Sequence, residues 1–390
     1  MKSRLCSGAF ALLLAFAIWL PLLHLLFRPQ SKDLGLENGV SLIADQLAAH
    51  HLQIWTNPDL RKRELAQMRQ LNPEWDFMSR TFLVLALANI ALRDESRMAQ
   101  CLETIDLVIE NTLLIEQEDG FRDFLLGYGN TDNWKAQPPR SIFVDGEISL
   151  MIGARRMVSD RADYHKLMVE RIGIMVAQMK LSPVLSAESY PDECWVFCNT
   201  IALAAIRLGD VLDNSDHSEF LREWVETAKL HLIEPQSGLL ISAYAIDGTP
   251  LPHGPGPEGT SIWVACHMLQ IVDDAFAQDQ YQRAKAQLGR SLLGFGYSRE
   301  WPQDYEGIMD IDSGPIVPVI EASASASGLA FLGAAGFRDS TYLTQLMTSL
   351  NAAGFPVRKN GTLRYQASNP VGDAVLLYAL VQGPLWEKAK

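Results

Sequence analysis

Basic residues are scarce in this chain, and none gather into a surface. Its 390 residues carry 33 Lys and Arg against 46 Asp and Glu, a formal charge of −13, and Arg61-Lys62-Arg63 is the one run of three basic residues. A nucleic-acid partner needs a basic face to replace its counterions, so that class of function is excluded. Cysteine is also sparse: Cys6, Cys101, Cys194, Cys198 and Cys266 are too few and too scattered for a disulfide framework, and an odd count leaves at least one thiol free. Cys194 and Cys198 share a helix face if the segment is regular, one turn apart, which is poor disulfide geometry. The chain has no P-loop, no nucleotide-binding glycine loop in a βαβ setting, and no HExxH or paired Cys/His metal spacing. No cofactor or metal is therefore expected. After residue 36 no Pro/Gly/Ser-rich or charged linker divides the chain, so residues 34–390 are expected to form one catalytic-sized domain.

Long uncharged apolar runs are missing except at the N-terminus. Ala9 to Phe27 is apolar over about a bilayer's length, between Lys2 and Arg4 on one side and Arg28 and Lys32 on the other. The flanking LHLLFRPQSK offers no small-x-small cleavage site, so residues 1–33 read as a short cytoplasmic tail and an uncleaved signal anchor. Lys2 and Arg4 keep the tail inside by the positive-inside tendency, which puts the main domain in the periplasm, tethered to the inner membrane. The oligomeric state is not legible.

What is present is a rhythm. Six times, a loop rich in acids, aromatics and glycines (NPEWD, PPRSIFVDGE, YPDE, PHGPGPEG, MDIDSGP, SNPVG) runs into a segment apolar nearly all round. These segments begin near Phe77, Ile142, Cys194, Ser261, Ala322 and Asp373. Helices apolar on every side are buried among neighbours. Amphipathic partners follow near 97–115, 163–180, 217–232, 279–294 and 340–353, and Val40–Gln70 supplies the first. The pattern predicts an all-α fold, an (α/α)6 barrel of six helix pairs. SGLLISAYAIDGTPLPHGPGPEGTSIW is expected to add a short β-hairpin at the rim. The inner helices start at one end, where six positive dipole ends meet most of the loop acids, so a site belongs there.

The densest cluster is SYPDECWVFCNT, which holds Asp192, Glu193, Cys194, Trp195, Cys198 and Asn199. It reads either as acids and thiols aimed into a pocket at a helix start, or as a capping Asp192 with cysteines filling core. FVDGEIS supplies Asp145 and Glu147, of which one can cap and the other point inward as a general acid with a raised pKa. MDIDSGP repeats the arrangement with Asp310 and Asp312, where a turn accounts for one of the two. Arg80 stands in an otherwise apolar helix and needs a partner, either Asp76 one turn earlier or an anionic substrate. Trp75, Trp134, Trp195, Trp263, Trp301 and Tyr305 fall in or near the rim loops and suit an isoprenoid chain or a sugar face equally. His253 reads as a solvated loop residue.

Four of these stretches, PDECWVFCN, FVDGEISLMIGARRMV, LIEPQSGLLISAY and DIDSGPIVPVIEASASASGLA, resemble the linalool dehydratase/isomerase-like proteins. The resemblance covers most of residues 70–375 and implies an (α/α)6 barrel. It also implies an active site built from two cysteines nine residues apart and a histidine of the second inner helix. The later cysteine falls on Cys198, followed by the same asparagine, Asn199; the earlier one falls on Ser189 and the histidine on Glu147. The resemblance thus implies a relative with a changed acid/base set. The expected catalytic residues are Asp145, Glu147, Asp192, Cys198 and Asp312. Trp75, Asp76, Arg80, Trp195, Asn199, Trp263 and Asp310 are expected to bind substrate. The expected reaction is a lyase or isomerase step on a small alcohol other than linalool. A glycan-active enzyme and a non-catalytic envelope component are the competing readings.

Overall fold

The computed structural model describes residues 2–35, 39–251, 256–303, 305, 307, 310–311 and 314–390. An N-terminal helix α1 (Lys2–Leu22) precedes the barrel and leaves Phe10, Leu12, Leu13, Phe16 and Trp19 exposed. Outer helices α2 (Leu42–Thr56) and α3 (Pro58–Leu71) then lead into inner helix α4 (Pro73–Arg93). Outer and inner helices alternate from there: α5 (Met98–Asp119), α6 (Ile142–Val158), α7 (Ala162–Met179), α8 (Val196–Asp213), α9 (Ser218–His231), α10 (Gly259–Met268), α11 (Asp274–Gln287), α12 (Ala324–Gly336), α13 (Ser340–Ala353) and α14 (Pro370–Val381). Each even-numbered helix from α4 to α14 packs on two inner neighbours, and α14 closes back on α4.

Local chemistry explains several helix starts. Asn57-Pro58, Asn72-Pro73 and Asn369-Pro370 each place an asparagine whose side chain accepts first-turn N–H groups, followed by a proline whose missing N–H costs nothing at that position. The first outer segment is accordingly two helices broken at Asn57 rather than one. Helix α4 is long and apolar enough to cross a membrane, yet its side chains from Phe82 to Ala91 are almost wholly buried between neighbouring helices. Its apolar character is that of a barrel core.

A short helix α15 (Pro384–Ala389) follows α14 and closes the end of the ring opposite the helix starts. Its Leu385 N–H donates to Asn89 Oδ1 at 3.1 Å, Trp386 stacks on His267 at 5.2 Å, and Lys388 reaches the Met157 carbonyl at 3.0 Å. The other end carries the loops.

The fold is mostly helical rather than all-α. Among the described residues, the rim stretch expected to hold a hairpin forms a single local bridge, Tyr244 to Pro250, and its strand β2 (Ala243–Tyr244) pairs instead with the distant β1 (Cys194–Trp195) just before α8. A five-stranded antiparallel sheet was not anticipated: β3 (Gly289–Leu292), β4 (Phe295–Arg299), β5 (Asp310–Ile311), β6 (Gly314–Val317) and β7 (Ala322–Ser323), in the order β3-β4-β7-β6-β5. It takes the last residues assigned to the outer helix over 279–294. A further hairpin joins β8 (Pro356–Lys359) to β9 (Thr362–Tyr365) through Asn360-Gly361, an Asn-Gly signal that was present in the sequence and passed over.

Candidate active site

Asp145 and Glu147 lie two residues apart on α6, so they point about 200° apart around the helix. Asp145 points outward. Arg140 Nε donates to it at 2.7 Å and Arg171 Nη1 from α7 at 2.5 Å, while Arg171 also engages Glu116 of α5. These groups line a cavity of about 390 Å³ between α5, α6 and α7. Both arginines are committed to acids, so Asp145 is part of an ion-pair network between the rings and is not at hand as a second carboxylate for Glu147.

Glu147 is wholly buried, and neither carboxylate oxygen has a partner in hydrogen-bonding geometry. Burial pushes its pKa up to about 8; the Thr81 hydroxyl opposes the shift and the Glu74 carboxylate adds to it. Thr81 belongs to α4 and Cys198, whose thiol Glu147 influences, to α8. Side chains from three consecutive inner helices meet on the lumen side of the ring. Gly146 permits the approach, since a Cβ there would lie 3.3 Å from the Ala202 backbone nitrogen of α8.

Burial pushes the Cys198 thiol well above its ordinary range; a hydrogen bond with Ser189 opposes this, and Glu74 and Glu147 push it further. At neutral pH it is a thiol. Ser189 sits in a loop held by two clamps. Asn199 donates to the Ala187 and Trp195 carbonyls at 3.1 and 3.0 Å and accepts from the Ala187 N–H at 2.9 Å. Buried Glu188 accepts the backbone N–H groups of Lys135, Ala136 and Asp192 at 2.9, 2.7 and 2.7 Å. Asn199 thus acts by positioning this loop. The next residue, Tyr190, donates to Glu74 Oε1 at 2.5 Å, accepts the Leu126 N–H at 2.8 Å, and stacks on Tyr128 with centroids 4.4 Å apart. Burial and Glu74 hold its phenol above the ordinary range.

The remaining candidates lie elsewhere. Asp192 is a turn residue at φ +59°, with a side chain 41% exposed and 3.4 Å from Lys135 Nζ, so it neither caps α8 nor reaches Glu147. Trp195 is half-buried and donates to Glu193 at 3.3 Å; Trp75 is half-buried in the first turn of α4. Asp76 and Arg80 face the outer ring: Asp76 accepts from Arg69 and Arg80 at 3.1 and 3.0 Å, and Arg80 continues to Asn111 and Thr112 and lies 5.3 Å over Trp55. The pairing of Arg80 with Asp76 is the structural alternative, and it leaves neither facing the lumen. Trp263 is not a rim residue; it is buried against Tyr281 and Tyr342 of the outer ring and donates to Ser298 Oγ at 2.8 Å. Asp310 pairs through its backbone with Pro315 in the sheet, and Asp312 and His253 lie outside the described residues. Among the described residues, no three His, Cys, Asp or Glu side chains are grouped to hold a metal.

Sequence reasoning placed Glu74 among the rim acids of NPEWD without giving it a role, and passed over Thr81 and Tyr190. A signal existed: the Asp76–Arg80 pair at i,i+4 marks one face of α4, while Glu74 and Thr81, seven apart, share another.

A family model described as linalool dehydratase/isomerase matches residues 158–371, more than half of the chain. The chain belongs to the linalool dehydratase/isomerase family. The match takes in Ser189 and Cys198 and begins after Glu74 and Glu147, so for those two acids the family adds nothing to the geometry. The unsaturated glucuronyl hydrolase responsible for glycosaminoglycan degradation in Bacillus sp. GL1 aligns with a TM-score of 0.53 at 11% identity, over 78% of this chain and 85% of its own. A GH76 α-mannanase from Bacteroides thetaiotaomicron aligns with a TM-score of 0.48 at 10% identity, over 80% of this chain and 86% of its own. At such identities the likeness to the hydrolase speaks for the fold of this dehydratase/isomerase-family chain and for nothing more.

Proposed function

We propose that this family member is an acid/base lyase or isomerase acting on a small alcohol. The observation that carries the reading is Glu147: a buried carboxyl without a partner, with a pKa raised to about 8, is protonated at neutral pH and able to donate. In the proposed step, Glu147 gives its proton to the substrate hydroxyl, the C–O bond breaks with its electrons going to oxygen, and water leaves. The Glu74 carboxylate, oriented by Tyr190, takes the proton from the neighbouring carbon, and the C–H electrons become the new double bond. The released water returns the proton from Glu74 to Glu147. Cys198 and Ser189 would line the substrate beside them, in the positions where the resemblance places the family's two cysteines.

The test is alkene formation from a panel of tertiary and allylic alcohols by the full chain and by Glu147→Gln. Product from the wild type and none from the variant is the expected result. Turnover of acidic or neutral oligosaccharides instead, with no alkene, would replace the reading by the glycan-active one. Location is part of the proposal: the apolar run at residues 9–27, with its exposed side chains on α1, anchors the chain in the inner membrane, and the barrel lies in the periplasm. Protease protection of intact spheroplasts against opened vesicles checks the side.

A further inference from the structure

Among the described residues, two hairpins are closed by two-residue loops in which both loop residues have positive φ, the pattern of a type I′ turn. In β8–β9 the loop is Asn360-Gly361, at φ +51° and +79°, flanked by Lys359 and Thr362. These are the residue types such a loop accepts at least strain. In β3–β4 the loop is Leu293-Gly294, at φ +51° and +86°, flanked by Leu292 and Phe295. Leucine in the left-handed region crowds its own Cβ, and this one is left 40% exposed beside a Leu292 that is 52% exposed. An apolar tip held in a strained turn and left exposed is a surface that a partner outside the chain would cover.

The position of the tip identifies that partner. After α1 the chain makes a short 3₁₀ turn, Leu23–Leu26, in which Leu25 and Leu26 are 50% and 79% exposed. This turn is docked on the hairpin rather than free: a Cβ on Gly294 would lie 2.4 Å from the His24 ring, His24 and Phe27 pack on Phe295 at 6.4 and 6.3 Å, and Asn351 of α13 donates to the Phe27 carbonyl at 2.9 Å. The Leu292-Leu293 tip therefore sits level with the last apolar residues after α1. The first charge, Arg28, lies just beyond and lines, with His24, a cleft of about 500 Å³ that has no acidic side chain in its lining. Apolar side chains backed by a cation form the profile of a segment seated at the headgroup boundary.

We propose that the β3–β4 hairpin is a second membrane contact, dipping Leu292 and Leu293 into the lipid interface beside α1, so that the barrel is seated on the bilayer in one orientation instead of swinging on a tether. This rests on the reading of α1 as a membrane anchor. A fixed seat would suit an enzyme whose small apolar substrate partitions into lipid.

The test uses the full chain with Cys6→Ser, since Cys101, Cys194, Cys198 and Cys266 are buried. An environment-sensitive fluorophore is attached in turn at Leu293→Cys, at Leu12→Cys in α1, and at Val169→Cys, an exposed site on α7 across the ring. In phosphatidylcholine vesicles, the Leu12 and Leu293 labels should both shift to the blue and be quenched by lipid-borne spin labels, at Leu293 most strongly by those about 5–10 Å into the interface. The Val169 label should stay in water. Quenching at Leu12 with Leu293 behaving like Val169 overturns the seat and leaves the anchor standing. No quenching at either removes both. A blue shift at Leu293 without lipid quenching assigns the tip to a protein contact and also overturns the proposal. Leu293→Asn relieves the turn and should hold or raise the Tm in detergent; a lower Tm would mean that the leucine serves the fold, and the argument from strain fails.

Discussion

Asp145 and Glu147 are two acids on one helix turn, both buried, and they have opposite fates. Asp145 faces the gap between the rings, where Arg140 and Arg171 meet it; Glu147 faces the lumen, where no cation and no hydrogen-bond donor in good geometry reaches it. A buried carboxylate is tolerable when its charge is neutralised, and the two sites do this differently, one by arginine and one by keeping the proton. Asp76 repeats the first solution on α4 with Arg69 and Arg80. For these three acids direction decides the outcome: Asp76 and Asp145, between the rings, tie helices together through arginines, and Glu147, turned to the axis, keeps its proton.

Four experiments can break or sharpen that contrast. The largest effect is expected from Glu147→Gln, which should lower turnover by about 10²-fold or more, the scale of a lost general acid, without lowering the Tm. A variant that keeps its activity, or that unfolds, would place Glu147 among the structural acids. Asp145→Ala should do the opposite, destabilising the protein by about 3 kcal/mol in urea titrations. That is the low end for a broken buried pair, because Arg140 is partly exposed and Glu116 remains on Arg171.

The pH dependence separates the two acids further. The pKa of Glu147 rises from 4.5 to about 8 on folding, so the folded state holds a proton that the unfolded chain gives up. The stability linked to that proton is full below about pH 4.5 and declines as pH rises toward 8. Asp373, raised to about 7 by burial, adds a similar slope, so wild type must be compared with Glu147→Gln: the variant's advantage in Tm should grow between pH 5 and 8. Activity should fall above about pH 8 as the acid loses its proton. The smallest effect is expected from Trp263→Phe, which removes the bond to Ser298 Oγ and should cost about 1 kcal/mol while leaving kcat/KM unchanged. A large loss of activity there would return Trp263 to the site.

The ring was legible because burial on all sides leaves a compositional mark: stretches such as the α4 residues FLVLALANIAL admit no polar face. The five-stranded sheet was not, since β5 and β7 are two residues long and carry no alternation to detect. Within the site, Glu147 and Cys198 were singled out by their own motifs and again by the resemblance, and the structure brings them together. Asp145, Asp76, Arg80 and Trp263 were drawn to the same place because sequence proximity to a loop does not fix direction around a helix.

The sequence by itself determined the helix starts, the inner and outer character of the segments and the family, because caps and periodicity act within about four residues and need no distant partner. Tertiary structure alone decided which acids carry a charge and which keep a proton. Thr81, Glu147 and Cys198 are separated by 66 and 51 residues in the chain and meet only when α4, α6 and α8 pack side by side. The electrostatics of a buried group follow from the neighbours that this packing supplies.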